Sequence, residues 1–168
     1  IGPLVSRRQR EKVLGYIESG KQEGAELIAG GSPPDDEALQ RGNYVLPTVF
    51  GNVSNEMKIA REEIFGPVVA VIPFDTPEEA VRLANDTPYG LAAGVWTNDL
   101  RRAHTVARQL KAGTVWVNSY GQLPVETPFG GYKQSGFGRE NSAHVLEHYT
   151  QVKNVYVDLS GRPIGWFK

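Results

Sequence analysis

The sequence predicts an α/β protein, on two observations. Between Val68 and Val117 apolar strand-like runs alternate with helix-like segments, in the order strand, helix, strand, helix, strand. Both helices open on capping residues, Thr76 before Pro77 and Asn98 or Asp99 before Leu100. Strands joined by helices cannot be hairpins, so the pattern implies parallel β-α-β units with right-handed crossovers.

Each element follows from local chemistry. Ser6 to Gly24 reads as an amphipathic helix, capped by Ser6, with Val13, Leu14 and Ile17 at helical spacing. Glu26 to Ala29 is a short strand. Gly30 to Asp36 holds two glycines and two prolines and breaks regular structure. Tyr44 to Phe50 alternates weakly, as a strand or an extended arm. Val68 to Phe74 is a continuous apolar run, read as a buried strand. The helix from Thr76 ends near Asn85, before Pro88 and Gly90. Leu91 to Thr97 is the next strand, the following helix reaches Leu110, and Thr114 to Val117 is a third strand. Gly121 to Gly138 is a long loop rich in glycine and proline, and loops of this length are usually functional or disordered. Phe129, Tyr132 and Phe137 within it argue for order. Glu140 to His148 is helix-like, Val152 to Val157 alternates as a strand, and the tail from Ser160 ends in Trp166 and Phe167.

Composition excludes several classes. With 18 basic and 19 acidic residues the chain carries a formal charge of −1, not the basic footprint of a nucleic-acid or anionic-membrane binder. Arg7, Arg8, Arg10 and Lys12 read as a solvated helix face. There is no cysteine, which rules out a disulfide or a thiol nucleophile within these residues and agrees with a cytoplasmic, reducing setting. No apolar run has the length of a membrane span and no signal peptide is evident. The sequons at Asn52 and Asn85 read as chance matches. Ile1 opens directly into helix-like sequence, the first pointer to a fragment.

Three motifs invite chemistry and fail on inspection. His144-Val145-Leu146-Glu147-His148 has the H-x-x-E-H spacing of an inverted zinc peptidase, but a catalytic zinc needs a third protein ligand, and only Asp158 follows as a carboxylate. An ordinary helix surface is the better account. Gly131 to Gly136 has phosphate-loop spacing, but Phe137 and Gly138 stand where the lysine and hydroxyl belong. Gly136-Phe137-Gly138 begins a dinucleotide fingerprint, but Asn141 replaces its last glycine and no strand precedes it. These glycines serve tight turns. A fourth segment, Glu62 to Pro67, leads into the apolar strand. A carboxylate there can accept two hydroxyl hydrogen bonds from a ribose, with an aromatic two residues on.

Four blocks together carry a resemblance. Glu62-Glu63-Ile64-Phe65-Gly66-Pro67-Val68, Pro88-Tyr89-Gly90-Leu91-Ala92-Ala93-Gly94-Val95, Gly113-Thr114-Val115-Trp116-Val117-Asn118, and the run from Pro128 to Glu140 resemble, in this order, blocks of the aldehyde dehydrogenases. They extend over nearly the whole chain. Gly138-Arg139-Glu140-Asn141 is similar to the betaine aldehyde dehydrogenase branch. The resemblance implies the C-terminal part of the family's catalytic domain over residues 1–149, with an oligomerisation strand and tail over 150–168.

It also implies roles. Glu63 would hold the nicotinamide ribose of NAD or NADP, and Phe65 would pack beside the nicotinamide. Tyr120, Leu123 and Phe129 would line the tunnel for a small-molecule aldehyde. Many relatives carry an aromatic at the Leu123 position, and leucine offers no ring face to a cationic aldehyde. Glu140 matches a buried glutamate with a proton-relay role, or is a carboxylate favoured at a helix N-terminus. Carbonyls around Lys133 and Gly136 match a monovalent-cation site of some relatives. Val152 to Asp158 resembles the arm that pairs with a neighbouring subunit in a homodimer or homotetramer. In the family mechanism a cysteine thiolate attacks the aldehyde, an oxyanion is stabilised, hydride leaves for the nicotinamide, and a glutamate-activated water hydrolyses the thioester. The cysteine and base precede this region in relatives, so the chain alone is expected to be inactive and to need the N-terminal part. The alternative is a non-catalytic assembly module, or a family-like protein without activity.

Overall fold

The computed structural model describes residues 1–162 and Gly165; the expected aromatic tail at Trp166 and Phe167 lies outside the described residues. The chain runs α1 (Arg7–Gln22), β1 (Glu26–Ala29), α2 (Glu37–Gln40), β2 (Thr48–Gly51), α3 (Lys58–Arg61), β3 (Val68–Ala70), α4 (Pro77–Asn85), β4 (Tyr89–Gly90), β5 (Ala92–Val95), α5 (Leu100–Gln109), β6 (Thr114–Val117), β7 (Tyr132–Lys133) and α6 (Val145–Tyr149). The class is mixed α/β, as expected.

The three long helices start where their caps dictate. The Ser6 side chain accepts from the Gln9 amide, that of Thr76 from Glu79 and that of Asp99 from Arg102, so each satisfies a first-turn donor that the helix cannot. Gln9, Val13, Tyr16, Ile17 and Gly20 fall on one face of α1, and four of them are buried. Val13, Ile17 and Phe50 form the centre of the core, joined by Val45, Val53, Ile59 and Ile64. Gly20 lets α1 approach closely, since a Cβ would sit 3.0 Å from Ile59 and 3.1 Å from the Phe50 ring and those side chains would have to shift by a few tenths of an ångström.

The strand connections depart from the expected run of parallel units. β2 pairs antiparallel with β1 and parallel with β3, whereas β5 pairs parallel with β6 across α5. Among the described residues β3 and β5 lie in different sheets, so of the two β-α-β units expected between Val68 and Val117 the one of β5, α5 and β6 is closed by strand pairing, while β3 pairs in parallel with the earlier β2 across α3. Val68 to Phe74 is also not a buried strand. It is regular only to Ala70, and its residues alternate. Val68, Ala70 and Ile72 pack on the core, while Val69 and Val71 face outward and are exposed. A continuous apolar run encodes cover on both faces, and one face is covered here.

Val152 to Val157 forms no strand. The segment has no regular structure and is exposed. A strand exists only through hydrogen bonds to a neighbour, and none is supplied by the described residues. Glu140 to His148 is helical only from Val145, after Asn141 and Ser142 in the left-handed region, at φ 62° and 55°. No helix among the described residues is long and apolar enough to cross a membrane.

Candidate functional site

The segment Glu62–Pro67 leaves α3 and enters β3 against the flank of α1. Phe65 adopts φ 56°, a left-handed conformation disfavoured for a bulky side chain, and its ring is 73 % exposed. Such strain persists only where neighbours hold it. The Gln9 carboxamide donates to the carbonyls of Ile64 (3.1 Å) and Phe65 (2.9 Å), and Lys12 Nζ reaches the Glu63 carbonyl at 3.4 Å. Gly66 lies so close that a Cβ would fall 2.5 Å from Val13 Cγ2, and Val13 is fully buried.

Tyr16 anchors the other end. Its hydroxyl donates to Glu62 Oε2 at 2.7 Å, and Lys12 and Lys58 stand over its ring at 5.5 and 5.1 Å. The Glu62 hydrogen bond, then burial, then the Glu62 charge hold the Tyr16 phenol above its ordinary value. A raised phenol pKa stabilises the fold below the unfolded value, near 10, and that contribution is lost as pH rises through the folded value. Tyr16→Phe is therefore expected to cost about 1–2 kcal/mol at pH 7, with the difference from wild type shrinking above about pH 10. Urea unfolding of both proteins from pH 7 to 11 checks this, and a pH-independent difference would contradict it.

A cleft of roughly 430 Å³ opens beside this segment, lined by Glu62 and Glu63 on one side and by Tyr89, Leu91, Gln134 and Ser135 on the other. Three of the four blocks thus meet here. Gly90 joins them: its N–H donates to Ser135 Oγ (3.0 Å), its carbonyl accepts from Gly113 N–H (3.0 Å), and β4 pairs antiparallel with β7. The Glu63 carboxylate is exposed and has no hydrogen-bond partner among the described residues, so it is free to accept from a ligand. Phe65 stands outside the cleft lining.

The remaining expected residues are not gathered with Glu63. Tyr120 is exposed, with its ring 5.0 Å from that of Trp116, whose Nε1 donates to the Gln122 carbonyl at 2.8 Å. Leu123 is exposed and Phe129 half-buried. Glu140 is neither buried nor at a helix N-terminus. It is exposed, five residues before Val145, and its backbone exchanges hydrogen bonds of 2.7 and 2.9 Å with Phe129. That bridge fixes the chain direction, and the side chain turns away to solvent. Lys133, at φ 52°, donates from Nζ to the Asn85 (2.8 Å) and Thr87 (3.0 Å) carbonyls. The hollow at Lys133 and Gly136 is lined also by Lys111 and Arg139, whose charges oppose a bound cation.

The zinc spacing has an ordinary explanation in contacts. His148 Nε2 accepts from the Arg139 amide (3.3 Å), His144 Nδ1 lies 3.2 Å from Ser142 Oγ, and Asp158 accepts from the Ser160 amide (2.8 Å) and hydroxyl (3.0 Å), which lowers its pKa. Among the described residues no three His, Asp or Glu side chains are grouped to hold a metal. The sequence reading missed Gln9 and Tyr16, and took Arg10 and Lys12 for solvated charges. Arg10 in fact donates to the Tyr44 carbonyl at 3.2 Å. The four-residue steps Gln9, Val13, Ile17 were the available signal.

Residues 1–155 match the model of the aldehyde dehydrogenase family, and the chain belongs to that family. It is 60% identical over 157 residues to the betaine aldehyde dehydrogenase of Agrobacterium fabrum, covering 94% of this chain and 32% of that protein. The betaine aldehyde dehydrogenase of Brucella anthropi is 55% identical over 159 residues, covering 95% of this chain and 33% of that protein. Among solved structures, the NAD+ complex of a Bacillus cereus aldehyde dehydrogenase matches with TM-score 0.89 and 53% identity over 95% of this chain and 32% of the other. The chain spans about a third of the length of the curated relatives it matches.

Proposed function

We propose that the chain is the cofactor-facing part of an NAD(P)-dependent aldehyde dehydrogenase that oxidises an aldehyde to a carboxylic acid, and that it works only with the remainder of the catalytic machinery. The observation that carries this reading is the Glu63 carboxylate, without a hydrogen-bond partner among the described residues, at the cleft where three family blocks meet. An acceptor held rigidly at its backbone, with its oxygens free, suits a ribose diol. Phe65 offers an exposed ring two residues away for the nicotinamide, which supplies hydride acceptance when bound. NAD is favoured over NADP by the solved relatives, several of which are NAD+ complexes.

Tyr120, Leu123 and Phe129 are assigned to the aldehyde path and Glu140 to a proton relay, with residues 1–149 as catalytic-domain portion and 150–168 as assembly arm. The exposed Val152, Val155 and Val157 support pairing of that arm with a second copy, in a homodimer or homotetramer. A cytoplasmic location fits the absence of cysteine in this chain. Betaine aldehyde is the first substrate to offer, from the names of the relatives. Leucine at 123, in place of an aromatic, weighs against strong selection for its cation.

The isolated chain, which contains no cysteine, is expected to give no reduced cofactor with NAD and an aldehyde panel, whereas the complete protein turns over. Absorbance of the reduced nicotinamide distinguishes the two. Steady turnover by the isolated chain would overturn the proposal, and inactivity of the complete protein would favour the assembly-module reading.

A further inference from the structure

The loop that carries Tyr120 and Leu123 leaves the sheet at the end of β6 and is held from that same strand. Asn118 turns the chain outward at φ 53°, a left-handed conformation that asparagine tolerates. Its carboxamide both accepts from the Thr97 amide and donates to the Thr97 carbonyl, at 2.9 Å each, and its own amide donates to the Val95 carbonyl at 2.8 Å. The exit from the sheet is therefore fixed. Beyond it, residues 119–124 have no regular structure, and around Gly121, at φ 75°, there is open space. Among the described residues one hydrogen bond ties residues 119–123 to the rest of the chain: Trp116 Nε1 donates to the Gln122 carbonyl at 2.8 Å. The Trp116 ring also stands 5.0 Å from that of Tyr120, tilted by 55°, a favourable aromatic arrangement. Trp116 itself is half-buried and pairs with Gly94 in the parallel ladder of β5 and β6, so its base is rigid.

We propose that Trp116 is a positioning residue that sets aldehyde selectivity. Its indole N–H and its ring hold the turn from Tyr120 to Gln122, and so fix where Tyr120 and Leu123 stand relative to each other. The inference rests on the assignment of those two residues to the aldehyde path proposed above. A wall held by a single tether shifts when the tether is cut. An aldehyde wide enough to press on that wall feels the shift, and one too small to reach it does not.

The test is Trp116→Phe in the complete enzyme, which keeps a ring beside Tyr120 and removes the donor, run beside Tyr120→Ala. The ratio of kcat/KM for benzaldehyde to that for acetaldehyde is expected to fall about fivefold in Trp116→Phe, through KM for benzaldehyde, as the loss of one net hydrogen bond implies. KM for NAD and Tm stay near wild type. A merely structural role would lower Tm and the active fraction but leave the ratio in place, because the active fraction cancels in it, and that result overturns the inference. So would a Trp116→Phe protein that fails to fold, since the indole would then support the sheet and not the loop. If Tyr120→Ala changes the ratio while Trp116→Phe leaves it within about twofold of wild type or raises it, the positioning role alone fails. If Tyr120→Ala leaves the ratio unchanged, the aldehyde-path reading itself fails, and the inference with it.

Discussion

Glu63→Gln in the complete enzyme is expected to lower kcat/KM for NAD by about 10- to 100-fold. A carboxylate accepting from two ribose hydroxyls makes charge-assisted hydrogen bonds, worth about 1.5–3 kcal/mol each when one partner is ionised. The amide keeps the shape, loses the charge and presents a donor where an acceptor belongs. Each 1.4 kcal/mol lost is about tenfold in the kinetic constant. Glu63 is exposed and forms no hydrogen bond from its side chain among the described residues, so folding stability should be unchanged within about 0.5 kcal/mol. Steady-state kinetics with NAD varied, paired with thermal melting, reads both quantities. Equal loss of stability and activity would contradict the assignment.

Gly113→Ala is expected to destabilise the protein by about 3 kcal/mol or more, or to prevent folding. A methyl group at 113 would overlap the carbonyl oxygen of Gly130 and lie 2.9 Å from its carbon. Both are backbone atoms, so no rotamer change relieves the overlap. The contact seats the return of the long loop beside β6, at the residue whose N–H donates to the Gly90 carbonyl, and its loss would also disturb the cleft. Gly15→Ala is the control. Nothing lies within 4 Å of a Cβ there, in the middle of α1, so alanine should stabilise by about 0.5–1 kcal/mol. Urea denaturation of the two variants separates these signs. A near-neutral Gly113→Ala would mean that the loop does not pack there.

Legibility of the fold in the sequence followed the range of the forces involved. Ser6, Thr76 and Asp99 act within one turn, so the starts of α1 and α4 were readable to a residue and that of α5 to within two, between Asn98 and Asp99. β1 and β6 were equally plain, being short apolar runs between clear breaks. The short pair β4 and β7 was not, because two residues per strand carry no periodicity, and pairing Tyr89 with Lys133 depends on Gly90 and Ser135 meeting across the chain. α2 and α3, four residues each, are equally below the length at which periodicity speaks. Val68 to Phe74 misled because composition records what a run can bury, not which neighbour is present to bury it.

At the site, the roles of Glu63 and Phe65 came from the family blocks and not from spacing. The structure adds what no block contains: the left-handed turn at Phe65, and its support from Gln9 and Tyr16 some fifty residues earlier in the chain. The convergence of three blocks on one cleft likewise required the fold. Glu140 went the other way, because a backbone bridge to Phe129 took it out of the helix that the sequence implied.

The most direct measurement is a crystal structure of the complete enzyme with bound NAD. A Glu63 carboxylate oxygen is expected within about 2.5–3.0 Å of a hydroxyl on the nicotinamide ribose, with the Phe65 ring against the nicotinamide. A bound coenzyme whose ribose lies out of reach of Glu63, with that carboxylate still in solvent, would contradict it.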